Sequence, residues 1–278
     1  MRRLILFILT ITLASGCLKE PSHTAQYHQQ LVVEGRIEEG SGAIVALSLN
    51  VPFREKYDTE DFRKMIVRWA KVTVVSSEGE EVLTGRENED YPTQYIYTGS
   101  DIIGKAGESY TLIVEYSGKV WRATTTIPRP IELTDIAIEH LRDSLYTITA
   151  TLPPCDTPCS IECAMNGSRY YAPTLLGVYD SCEVSREITI NRPLDNLYRS
   201  DYMTLFTAED SVSLRINTMD SFGFEYWSLW ENNVINSLNP IFPAVDNLPT
   251  NISNDALGIW AGYGSTYYKM GTIIPEDK

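Results

Sequence analysis

Between Ser109 and Ile127 the chain alternates in a way that leaves it little choice of structure. Tyr110, Leu112 and Val114 fall on one side of an extended chain, and Thr111, Ile113 and Glu115 fall on the other. Ser117-Gly118 supplies a turn, and Lys119 to Ile127 runs back with β-branched and aromatic residues. A helix would scatter these side chains around its circumference, so the stretch requires a sheet with one face in a core. The same pattern recurs upstream. Leu31–Ile37 and Ala43–Leu49 read as strands parted by the turn Glu39-Gly-Ser-Gly42. Ile66–Val75 and Glu81–Thr84 read as a hairpin about Ser77-Glu-Gly-Glu80, and Tyr95–Tyr97 as a short strand before a loop ending at Gly107. Residues 51–65, with Pro52, form a connection with a short helix expected around Asp61 to Met65. Some seven short strands in about a hundred residues predict an immunoglobulin-like β-sandwich over residues 30–127, without the Cys-Trp-Cys framework of antibody domains.

Pro128-Arg-Pro130 then imposes an extended boundary, because proline fixes its own φ and keeps its predecessor out of helix. Residues 131–278 are read as a second β-rich domain, with strands at Ile131–Glu139, Leu145–Leu152, Ser168–Tyr171, Val184–Ile190, Tyr202–Phe206 and Ser211–Thr218. A last strand near Leu257–Tyr263 is followed by Ser265–Tyr268. One segment departs from this pattern near residues 221–238. Trp227, Trp230, Val234 and Leu238 share a helical stripe, Asp220 or Ser221 can cap it, and Pro240 closes it. Pro243 and Pro249 mark an extended passage beyond. The expected fold class is mainly β: two sandwich-like domains, the first immunoglobulin-like, the second with one inserted amphipathic helix.

The beginning of the chain carries a different kind of signal. Arg2 and Arg3 precede the apolar run Leu4–Leu13, and Ala14-Ser15-Gly16 bring small residues up to Cys17. This is the layout of a secretory signal peptide with a cysteine where a lipoprotein signal peptidase needs one. Residues 1–16 are read as that signal peptide, Cys17 as the lipidated first residue of the mature protein, and residues 17–29 as a polar tether. The apolar run is too short for a transmembrane anchor, which needs about 20 residues. The formal net charge of −14 argues against nucleic acid as a partner and against adsorption to anionic lipid by charge. Membrane attachment is therefore assigned to the lipid on Cys17.

Four further cysteines, Cys155, Cys159, Cys163 and Cys182, are read as two disulfides in an exported chain. Their spacing leaves the connectivity open, with a marginal preference for Cys163 with Cys182. A metal site on the C-x3-C-x3-C spacing would need a helix that Pro153, Pro154 and Pro158 oppose. No catalytic constellation stands out. His23 and His28 lie in the tether, His140 sits at a strand end, and there is neither a Gly-x-Ser-x-Gly elbow nor a zinc spacing nor a phosphate-binding glycine loop. Asp58-Thr-Glu-Asp61 and Glu87-Asn-Glu-Asp90 lack the full ligand run of a calcium loop and are read as solvated. No metal or cofactor is expected. The remaining lead is aromatic: Trp227, Trp230, Trp260, Tyr263 and Tyr267 concentrate late in the chain, where they would pack the core or offer a binding surface for sugar, peptide or protein.

Several segments in order resemble one family. They are Leu31-Val-Val-Glu-Gly-Arg-Ile37 soon after the lipid cysteine, Gly107–Tyr116 with Ala123-Thr-Thr-Thr-Ile-Pro128, the Phe224–Trp230 helix, and Asn251-Ile-Ser-Asn-Asp-Ala-Leu-Gly-Ile-Trp260. Together they resemble the Bacteroidota lipoproteins grouped as domain of unknown function 4249, though Ile259 stands between the usual Leu-Gly pair and the aromatic residue. The resemblance implies an outer-membrane lipoprotein that accompanies a TonB-dependent transporter, and it carries no catalytic residue. A non-catalytic accessory to nutrient uptake is the leading expectation. A surface adhesin or envelope-structural protein is the alternative, and a hydrolase using His140 or paired carboxylates ranks below both.

Overall fold

A computed structural model of the protein describes residues 27–52, 58–193, 204–237 and 247–273. The signal peptide, Cys17, most of the tether, Leu238, Pro240, Pro243 and the start of the Tyr202–Phe206 segment lie outside these residues. The first half contains β1 (Leu31–Glu38), β2 (Gly42–Leu49), helix α1 (Thr59–Met65), β3 (Lys71–Ser76), β4 (Gly79–Val82), β5 (Thr84–Glu87), β6 (Tyr95–Ile103), β7 (Ser109–Tyr116) and β8 (Lys119–Thr126). The second contains β9 (Thr134–Arg142), β10 (Leu145–Leu152), β11 (Cys159–Met165), β12 (Ala172–Tyr179), β13 (Arg186–Ile190), β14 (Phe206–Thr207), β15 (Ser211–Thr218), helix α2 (Ser221–Ser237) and β16 (Leu257–Thr272). The protein is mainly β, with sandwich-like packing.

Three sheets organise these strands. The largest has eight strands in the order β12-β11-β15-β16-β1-β2-β6-β5 and draws on both halves of the chain. Two four-stranded sheets accompany it: β4-β3-β7-β8, and β13-β10-β14 with β9 also on β10. The expected pair of strands at the end of the chain is in fact the single strand β16. Its residues 257–263 pair in parallel with β1, and residues 264–272 pair antiparallel with β15. The opposite edge of its first half is sealed by a side chain: the Asn251 amide donates to Trp260 O and accepts from Trp260 N, as a neighbouring strand would.

Side chains of a strand alternate between faces, so β16 also shows how the layers stack. Trp260, Tyr268 and Met270 share one parity. Trp260 belongs to the core beneath β3, β7 and β8, with Val33, Ile37, Leu112 and Trp121. Tyr268 and Met270 pack against the other core, with Ile148, Leu152, Ile161 and Leu214. Both small sheets therefore cover the same face of the large one, as two sandwiches sharing a sheet. Between them, the Pro128–Pro130 boundary crosses β16 at two glycines. A Cβ on Gly262 would lie 2.9 Å from the Thr126 backbone, and one on Gly264 would lie 2.5 Å from Pro128 O.

One strand reading is corrected here, and one acidic segment acquires a local role. Ser168–Tyr171 is not a strand. Asn166 and Gly167 take φ values of 52° and 81°, so the chain reverses in a tight turn after β11, and Ser168–Tyr171 leads out of that turn before β12 begins at Ala172. The acidic group Asp58–Asp61 is a helix cap: Asp58 accepts from Asp61 N at 2.8 Å and Asp61 reaches back to Asp58 N, which satisfies the first turn of α1. The cysteines are also placed. Cys155 and Cys182 exchange both backbone hydrogen bonds, at 2.8 and 2.9 Å, and bring their Sγ atoms to 3.7 Å. Cys182 thus faces Cys155 rather than Cys163, whose Sγ lies 3.5 Å from Met165 Sδ.

Trp260 is fully buried and donates from Nε1 to Tyr110 O at 2.9 Å. Replacing it by alanine should cost about 3–5 kcal/mol in denaturant unfolding. Gly264→Ala should cost about 1–3 kcal/mol by forcing the boundary off β16. A Gly264→Ala protein as stable as the parent would show that the crossing is loose.

Candidate functional site

The other face of the large sheet does not look like the outside of a sandwich. Along β1, Val33, Gly35 and Ile37 turn into the core, so Glu34, Arg36 and Glu38 turn away from it. Such residues ordinarily meet water, yet the Arg36 and Glu38 side chains are 17% and 6% exposed. β11 and β15 add one charge each to this face, Glu162 and Arg215, both buried within otherwise apolar or small-residue strands.

These four charges form a closed arrangement. Arg36 Nε approaches Glu38 Oε1 at 2.6 Å, and its Nη1 lies 3.3 Å from Glu162 Oε2. Arg215 donates from Nε to Glu162 Oε2 at 2.8 Å, with a closer contact from Nη2, and from Nη1 to Glu38 Oε1 at 2.9 Å. Each guanidinium thus meets both carboxylates, and each carboxylate meets both guanidiniums. Aromatic rings complete the shell. Tyr267 donates a short hydrogen bond to Glu38, Arg36 lies 4.7 Å over the Tyr263 ring, and Arg215 lies 4.6 Å over that of Tyr171. Burial alone would raise the Glu38 carboxyl, but Arg36, Arg215 and the Tyr267 hydroxyl outweigh it and bring its pKa down to about 2. The same contest lowers Glu162, where Arg215 and Arg36 prevail over burial. Burial pushes the Tyr267 hydroxyl up to about 12, so it remains a donor at neutral pH.

Three separate segments roof the quartet. Tyr91 comes from the β5–β6 loop, and Tyr170 and Tyr171 come from the β11–β12 loop. The Tyr91 and Tyr170 rings meet edge to face at 5.3 Å. Helix α2 supplies Trp227, whose Nε1 donates to the Tyr263 hydroxyl at 2.8 Å. The helix begins where Asp220 caps it by accepting from Gly223 N at 2.8 Å. It is tied to β12 where Gly177 N donates to Glu231 at 2.8 Å, beside Leu176 at a φ of 57°.

Between floor and roof lies a cleft with two lobes that share Glu34, Arg36, Tyr91 and Trp227. One lobe adds Arg169, Tyr170 and Tyr171, and the other adds Ile44, Ile259 and Tyr263. Glu34 is exposed, but protein crowds it closely enough that desolvation raises its pKa. Among the described residues it has neither a hydrogen-bond nor an ion-pair partner. A larger hollow beside α1, lined by Glu60, Arg63, Lys64 and Glu87 among others, is an open surface whose described lining is charged or polar.

The aromatic residues singled out from sequence divide among these places. Trp227, Tyr263 and Tyr267 converge on the quartet. Trp230 stands outside it, stacked edge to face on Trp227 at 5.6 Å. Trp260 lies on the opposite face, in the core. His140 is exposed, with Nε2 2.7 Å from Asp143 O. Sequence reasoning missed Glu34, Arg36, Glu38, Glu162, Arg215, Tyr91, Tyr170 and Tyr171. The available signal was a lone charge inside each of two otherwise uncharged strands, Glu162 and Arg215, with opposite signs.

Glu38 and Glu162 bind protons less readily folded than unfolded. The stability they contribute is therefore present above pH about 4.5 and is lost as pH falls below it, for Glu38 toward about 2. Glu38→Gln should lower stability at pH 7 by about 3 kcal/mol, leaving two guanidiniums short of an anion. It should also flatten the fall of the urea midpoint between pH 5 and 3. An unchanged midpoint at pH 7 would mean that the quartet contributes nothing net.

No curated protein matches the chain. The family described as Domain of unknown function (DUF4249) matches residues 20–269, which take in all of the large sheet but the last three residues of β16, and the chain belongs to that family.

Proposed function

We propose that the protein is a lipid-anchored recognition subunit of the outer membrane, non-catalytic, working beside a TonB-dependent transporter. The observation that carries this reading is the cleft. The four quartet charges match one another on the floor, the walls are aromatic, and among the described residues the lining holds no histidine, serine or cysteine. Such a lining favours holding a ligand over transforming it. The leader Arg2–Cys17 supports the membrane anchor, and the resemblance to outer-membrane lipoproteins supports the transporter as partner. A docking surface is available as well. Trp69 is 89% exposed, and a solvated tryptophan is the kind of residue that anchors protein interfaces.

The setting also bears on the cysteines. A hydrogen-bonded antiparallel pair holds its Cα atoms about 5.5 Å apart, within reach of a disulfide, so in an oxidising envelope Cys155 and Cys182 form one.

Cys17→Ser should release the protein from the membrane fraction, and membrane-bound Cys17→Ser protein would defeat the anchor. Lipid-intact protein purified in mild detergent should retain a TonB-dependent transporter, and Trp69→Ala should weaken that association; repeated recovery of none counts against the transporter. Alkylation without reductant should spare Cys155 and Cys182 in the unfolded protein, and labelling of both would refute the bridge.

A further inference from the structure

The cleft presents one carboxylate, Glu34, that feels the Arg36 charge but has no hydrogen bond or ion pair of its own among the described residues. Arg36 and Arg215 are engaged by Glu38 and Glu162, so a ligand gains little from the quartet without breaking it. Glu34 is different: it is exposed, it belongs to both lobes, and among the described residues nothing pairs with it. The lobes on its two sides differ in chemistry. Ile44, Ile259 and Trp227 make one apolar. Arg169, Tyr170 and Tyr171 make the other polar, and Arg169 likewise has no ion-pair or hydrogen-bond partner among the described residues.

A ligand centred on Glu34 therefore needs a cation, an apolar group on one side, and an acceptor or anion on the other. An α-amino acid unit carries these three groups on a single carbon. We infer that the cleft binds the free amino end of an amino acid or peptide with an apolar first side chain, its ammonium on Glu34, its side chain against Ile44, Ile259 and Trp227, and its carboxylate or first carbonyl toward Arg169. Tyr91 and Trp227 border both lobes, and aromatic faces favour a nearby ammonium. The crowding that disfavours a bare Glu34 carboxylate is relieved when a cation arrives. The two sources of this chemistry differ at Arg169, which meets a full carboxylate in a free amino acid and a neutral carbonyl in a peptide.

The inference rests on reading the cleft as a recognition site, but not on the anchor or the transporter. Calorimetry of the full-length lipidated protein in detergent, with leucine, leucinamide, leucyl-glycyl-glycine and N-acetyl-leucinamide, tests it. The amines should bind and the acetylated compound should not. Glu34→Gln should weaken binding at least about tenfold while thermal unfolding shows the fold intact. Arg169→Met should weaken leucine by a similar factor and leave leucyl-glycyl-glycine within about twofold. Tighter parental binding of leucine than of the tripeptide identifies the free amino acid as the ligand, and the reverse order identifies a peptide end. Equal binding of leucinamide and its acetylated form, an unaffected Glu34→Gln protein, or no binding of any amine at millimolar concentration would overturn the inference. None of these results would alter the outcome of the Cys17→Ser or transporter experiments.

Discussion

One strand has to satisfy two neighbours that never meet each other in sequence. β16 gives its first half to β1 and its second half to β15, and most of the architecture follows from that division. It obliges the two small sheets to lie side by side on one face. It obliges the connecting segment to cross the strand where glycines leave room. It also leaves the opposite face as a continuous floor across the junction, with β1 and β11–β15 on either side. The cleft exists because that floor is shared.

The ion quartet has meaning only in this setting. Buried ion pairs are poor stabilisers in general, since removing charges from water costs about as much as their attraction returns. Their geometry is demanding, however, and here Arg36 and Glu38 come from one half of the chain while Glu162 and Arg215 come from the other. A slip of one residue in β1 or β15 would turn the charges into a hydrophobic core. The arrangement therefore fixes how the halves are registered, whatever it adds to stability. It also prearranges the aromatic shell, because the same guanidiniums lie against Tyr171 of the roof and Tyr263 of the floor.

Much of the fold was legible in the residues. The hairpin β7–β8, strands β10 and β15, and helix α2 with its Asp220 cap all follow from periodicity and local chemistry. What sequence could not provide was partnership. The end of the chain reads as a strand near Leu257–Tyr263 followed by a separate Ser265–Tyr268, whereas it is one strand, and Gly262 and Gly264 are where another segment presses against it. Glu34, Arg36 and Glu38 carry no site signal of their own, because alternation tells which side a residue takes but not what covers that side. Tyr91 and Tyr170 sit in loops 79 positions apart, and nothing local joins them. The late aromatics were a better guide: Trp227, Tyr263 and Tyr267 do meet, although half of the chamber around them comes from the early part of the chain.

The parallel pairing of β1 with β16 joins Val32 to Leu257, so the first strand waits for nearly the whole chain before its edge is covered. Contacts of such long sequence separation close slowly. During synthesis, the first sandwich would hold together its hairpins while lacking Trp260, the largest side chain at its centre. Until residues 257–272 have been made, the polypeptide keeps an open edge and an unfilled core, a state that a chaperone can hold.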